Sequence, residues 1–107
     1  MIVKGYRNKR LVFLDDKELT PGESLKLIRH SPDGFNWGYS GSGPAQLALA
    51  LMIAFIGKEN ATKYYQKFKT DVISKLPREA DFILDEEDIK IWMEENIHGD
   101  IIHKNIQ

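Results

Sequence analysis

The stretch HSPDGFNWGYSGSGPAQLALALMIAFIG, residues 30–57, decides the fold. From Pro44 to Ile56 it is almost wholly apolar. Leu47, Leu49, Leu51, Ile53, Phe55 and Ile56 point all round a helix of period 3.6, so this helix has no wet face over most of its length and must be covered on several sides. The apolar run Leu47 to Ile56 is roughly half of what spans a bilayer, which marks a buried helix and not a membrane segment. Upstream, Ser31-Pro32-Asp33-Gly34 is turn chemistry, and Phe35-Asn36-Trp37-Gly38-Tyr39 alternates aromatic with small or polar residues, as a strand with one packed face would.

Working outward, Ile2 to Arg7 and Arg10 to Leu14 are β-prone runs around Asn8-Lys9, closed by Asp15-Asp16, and read as a hairpin. Thr20-Pro21-Gly22-Glu23 places a capping Thr before Pro at the first helical position and Glu at the third. That predicts a short helix over 21–29 that buries Leu25 and Ile28. Gly57 ends the apolar helix, and a second helix over 58–75 shows Tyr64, Tyr65, Phe68, Val72, Ile73 and Leu76 at helical spacing, stopped by Leu76-Pro77. Phe82-Ile83-Leu84 adds a strand, Asp85 caps a last helix over 86–96, and 99–107 reads as a strand or a frayed end. The expected fold is α+β: a small β-sheet packed against a helical pair, in the order β-β-α-β-α-α-β-α, as a single domain over 1–107.

Composition narrows the function classes. A chain of 107 residues can bury roughly two-thirds of its extended surface, so it needs no staples. It has no cysteine, which removes disulfides, thiolate catalysis and Cys-ligated zinc and fits a reducing compartment. The N-terminus lacks the features of a secretory signal, and a cytoplasmic location is expected. Residues 1–78 carry 13 Lys/Arg against 7 Asp/Glu, whereas 79–107 carry 2 against 9. A positive body favours an anionic ligand if the segregation survives folding. Arg7, Lys9 and Arg10 on the hairpin and Lys63, Lys67 and Lys69 on the second helix form no nucleic-acid motif, and a pI near 6.3 argues against DNA or RNA.

The candidate site is the glycine-serine loop. Such a loop leading into a helix exposes backbone amides at the positive end of the helix dipole, which suits an anion. Gly41 and Gly43 permit close approach, Ser40 and Ser42 can donate, and Gln46 lies one turn into the helix. Trp37 and Tyr39 can stack on a planar group, with Arg29 and His30 upstream. Neither the P-loop lysine nor the dinucleotide glycine fingerprint is present, so Gly43 as a mere N-cap and the aromatics as core stay open. A hydrolase using His30 with Ser31, Ser40 or Ser42 is a third reading. His98, Asp100 and His103 show no metal-ligand spacing. No cofactor or metal is expected, and binding without turnover is favoured.

These residues also carry a resemblance. The run from His30 to Leu51, with Gly5-Tyr6 and Leu19-Thr20-Pro21 before it, resembles a family of small uncharacterised proteins from phages, plasmids and prokaryotic genomes. The family pattern reads HSP-x-GF-x-WGY-x-GSGPAQLALALL, followed by a YQ-x-FK segment like Tyr65-Gln66-Lys67-Phe68-Lys69 and a Leu-Pro pair like Leu76-Pro77. The resemblance implies a domain of unknown function from a mobile element, acting in the host cytoplasm if viral. The order of a Thr-started helix, strand, glycine turn and apolar helix with an early Gln is also similar in layout to the small viral ring nucleases, which bind and cleave cyclic oligoadenylates. In that family a His follows the turn glycine, whereas Pro44 follows Gly43 here, so this likeness implies binding and not cleavage. The leading expectation is a binding protein that sequesters a phosphate-bearing small molecule or nucleotide signal at Ser40 to Gln46, as counter-defence. The alternative is a protein-interaction module or inhibitor of a host protein, or a homodimer, acting through the apolar helix and exposed aromatics.

Overall fold

The structure, a computed structural model, describes residues 1–97. Strands β1 (Ile2–Tyr6), β2 (Leu11–Leu14), β3 (Lys17–Leu19) and β4 (Phe82–Asp85) form one antiparallel sheet of order β3-β2-β1-β4. Helices α1 (Gly22–Leu27), α2 (Ser42–Asp71) and α3 (Glu86–Asn96) and a 3-10 turn at Ile73–Lys75 complete it. The α+β class, the sheet and the helical cover are as the sequence predicts.

The apolar helix is the middle of the core. Gly43 to Met52 are buried without interruption, followed by Phe55 and Ile56. One cluster joins them to Val3 and Val12 of the hairpin, Phe82 and Leu84 of β4, Phe35 and Trp37 of the preceding loop, and Ile89, Trp92 and Met93 of α3. The chain itself supplies the cover that the all-round apolar pattern demands, with no second copy needed. Gly57 has φ 83° and ψ 163°, which parts α2 into two helical arms. Only glycine reaches that region without a Cβ penalty, so the expected helical pair is one element with a glycine break. The second arm buries Ala61, Tyr65 and Phe68.

Two local expectations are corrected. Residues 35–39 are not a strand: Gly34 and Gly38 take positive φ, Trp37 N donates to its neighbour Asn36 Oδ1, and Gly38 N donates to Ile73 O at 3.0 Å instead of joining a ladder. The alternation is real as burial, with Phe35 and Trp37 inward, but it lacks a strand partner. The strand not predicted from the sequence is β3, Lys17–Leu19, turned back on β2 through Asp15-Asp16. Asp15 sits at φ 53°, a region that a short polar side chain tolerates, and its carboxylate accepts from Ile2 N at 2.9 Å. The Thr20 capping box is also not made: α1 opens at Pro21 with no side-chain cap, while Ser24 Oγ donates to Pro21 O at 2.8 Å. Leu25 and Ile28 are half-buried. The Asp85 cap is present, accepting from Glu87 N at 3.1 Å. The predicted strand or frayed end over 99–107 lies outside the described residues.

Candidate functional site

The predicted ligand residues divide between the core and a surface groove. Gln46 belongs to the core. It is fully buried, its Oε1 accepts from the amides of His30 and Ser31 at 2.7 and 2.9 Å, and its Nε2 donates to Ser24 Oγ and Ile28 O at 2.9 and 3.1 Å. All its bonding capacity pins the chain after α1 to the opening of α2. Trp37 is equally committed: it is fully buried, stacked edge-on against Phe82 at 4.7 Å between centroids, and its indole N–H donates to Ala80 O at 3.1 Å. His30 points its Nε2 at Tyr65 Oη, 2.7 Å away, and makes no hydrogen bond with Ser31, Ser40 or Ser42 among the described residues. Arg29 is exposed and does not line the groove described below.

The glycines have tight neighbours. A Cβ on Gly43 would stand 2.5 Å from Asn36 Cβ, and one on Gly41 would stand 2.6 Å from the Tyr39 ring. Gly38, at φ 84°, would meet the Arg78 backbone at 2.4 Å. The Gly38 contact docks the loop onto the segment before β4, while the other two fold the loop closely onto the start of α2.

That docking sets two arginines beside an open groove on the surface. The groove, of about 360 Å³, is lined by Arg7, Asn36, Tyr39, Arg78 and Glu79. The Arg7 guanidinium lies over the Trp37 ring at 4.3 Å and donates to Arg78 O and Asn36 Oδ1. The Arg78 guanidinium lies over the Tyr39 ring at 5.0 Å. Arginine keeps its charge and offers planar donors suited to phosphate. Arg7 spends part of its fork on protein oxygens, whereas Arg78 is exposed and held by its aromatic neighbour. Ser40 and Ser42, both exposed, follow Tyr39 directly at the start of α2, where Gly41 is the N-cap and no side chain caps the helix. Glu79 supplies an opposing charge on the groove's rim.

In the sequence Arg7 stands out only as part of a basic hairpin and Arg78 does not stand out as a site residue, because they lie 71 residues apart and flank the loop only through tertiary packing. Arg7 follows β1 directly and Arg78 follows Leu76-Pro77; neither position has a motif. Among the described residues no group of three or more acidic or His side chains is placed to hold a metal ion, and no helix is long and apolar enough to cross a membrane. His98, Asp100 and His103 fall outside the described residues.

No curated protein and no solved structure gives a significant match. A family model does, over residues 3–95. The chain therefore belongs to a family of unknown function, DUF6166.

Proposed function

We propose that this protein binds a phosphate-bearing small molecule or nucleotide signal in the groove formed by Arg7, Asn36, Tyr39 and Arg78 beside the Ser40–Ser42 opening of α2. The observation that carries the reading is that two guanidinium groups, 71 residues apart in sequence, line one groove with Asn36 and Tyr39, the residue directly before the exposed Ser40 and the start of α2. A phosphate there would meet the positive charge of both arginines, next to the positive end of the α2 dipole. The Tyr39 ring supplies a flat apolar surface at the edge of the same groove. Gln46 and Trp37 serve the site indirectly, by holding its walls. Sequestration of a host signal by a mobile-element protein is the biological role this chemistry suits.

A thermal-shift screen against inorganic phosphate, sulfate, nucleotides and cyclic nucleotides tests this. A ligand at about 100 times its Kd adds about 2.7 kcal/mol to stability, a shift of roughly 10 °C for a domain of this size. That shift should vanish in Arg78→Ala, whose side chain is exposed and removable without opening the core. No stabilisation by any of these compounds removes the reading. Stabilisation that persists in Arg78→Ala puts the ligand elsewhere.

A protein partner is the second reading, but not through the apolar helix, which is buried within this chain. The surface that favours it is the open face of the sheet.

A further inference from the structure

The sheet covers the helices with one face only. Val3, Gly5, Val12, Phe82 and Leu84 turn inward, and the alternation leaves Ile2, Lys4, Tyr6, Phe13, Ile83 and Glu18 on the other side. Nothing in the chain's described residues packs over that side: Ile83 is 68% exposed, Tyr6 43% and Ile2 39%. Tyr6 and Phe13 meet edge-to-face at 5.8 Å and form an aromatic centre on the open surface.

The register places charge around that centre in a particular order. Lys4 pairs with Phe13 across β1 and β2, and Phe13 pairs with Glu18 across β2 and β3. A single row therefore reads Ile83, Lys4, Phe13, Glu18, with opposite charges one strand spacing, about 4.8 Å, to either side of the aromatic ring. Neither Lys4 nor Glu18 has a salt-bridge partner among the described residues. The Lys4–Phe13–Glu18 part of the row is complementary to itself. When a second copy is laid face to face about a two-fold axis running along β2, each Phe13 meets its equivalent, and each Lys4 stands opposite the other copy's Glu18. Sheets packed face to face lie about 10 Å apart, within reach of a Lys and a Glu extended toward each other.

We propose that this sheet face is a homodimer interface, with the two-fold axis along β2 and reciprocal Lys4–Glu18 pairs flanking the Tyr6–Phe13 aromatics. The inference stands on the sheet register and is independent of the groove, which lies at another surface of the fold. A patch of four short strands is smaller than the roughly 1,600 Å² of a standard stable interface, so the dimer dissociates on dilution.

Sedimentation velocity on the full chain, from about 5 μM to about 500 μM, should show a monomer–dimer equilibrium. Lys4→Glu alone and Glu18→Lys alone should each weaken dimerisation by about 10-fold, and the double charge reversal should restore it, since the pair re-forms with its signs exchanged. Both side chains are exposed, so the fold survives the change, and far-UV circular dichroism of each variant confirms this. Phe13→Ser should abolish the dimer. A chain that stays monomeric at every concentration overturns the proposal and leaves the face to a different protein. A dimer unaffected by either single reversal, or not recovered in the double, places the contact on another surface and overturns it equally.

Discussion

At the residue scale, Gln46 shows how a polar side chain in an apolar run is to be read. A buried amide must satisfy its donors and acceptor internally or bear a cost of one to several kcal/mol. Gln46 satisfies both its ends with backbone and Ser24, and so joins α1, the His30-Ser31 backbone and α2 at one point. Gln46→Leu keeps the volume but strips partners from two amides, one carbonyl and one hydroxyl. It should lower unfolding free energy by about 3 kcal/mol, measured as a reduced urea midpoint with unchanged slope. A loss below about 1 kcal/mol would mean that water replaces the amide and that the pin is not structural. The sequence held the signal for this role: a Gln inside a helix with no wet face has no solvent to meet. Trp37 held no such signal, because an indole beside a glycine loop suits a core and a stacking platform equally.

At the element scale, the second arm of α2 and α3 are tied by one carboxylate. Asp71 Oδ2 accepts from Lys67 Nζ at 2.8 Å and from Trp92 Nε1 at 2.9 Å, while Trp92 packs edge-on against Phe68 at 4.9 Å. The Lys67 ammonium first, and the Trp92 indole N–H second, hold the Asp71 carboxyl below its ordinary value of 3.8. The folded state therefore binds fewer protons than the unfolded chain in the acid range. The resulting stability is present above the unfolded value and is lost as pH falls through the lower, folded one. Asp71→Asn should accordingly be less stable than the parent at about pH 7, with the gap shrinking toward about pH 3. Urea midpoints of the two proteins at both pH values measure it, and an equal gap at each would contradict the charge-based account. Helix ends show the same division between local and tertiary causes. The Asp85 cap formed as the local sequence predicts, whereas the Thr20 cap did not, because Ser24 and its buried contact with Gln46 organise the opening of α1 instead.

At the scale of the whole molecule, one cluster runs from the hairpin through the apolar helix to α3. A contiguous core of this kind predicts all-or-none unfolding. The two tryptophans report on its two ends: Trp37 beside Phe82 and the groove, and Trp92 against the second arm of α2. In Trp92→Phe the fluorescence of Trp37, and in Trp37→Phe the fluorescence of Trp92, should each follow the far-UV circular dichroism of the same variant with a coincident urea midpoint. Separate midpoints within either variant would divide the chain into independent units. What the sequence determined by itself was local or periodic: the buried apolar helix, its break at Gly57, the hairpin, the Asp85 cap and the α+β class. Side-chain period and glycine freedom act over a few residues, and they are legible without a fold. Only the tertiary structure decided that the alternating aromatic segment is a docked loop, that Gln46 is a pin, and that Arg7 and Arg78 share a groove with Tyr39. Those outcomes depend on which distant backbone groups remain unpaired after the sheet and helices have packed, and chain separation hides that from any local pattern.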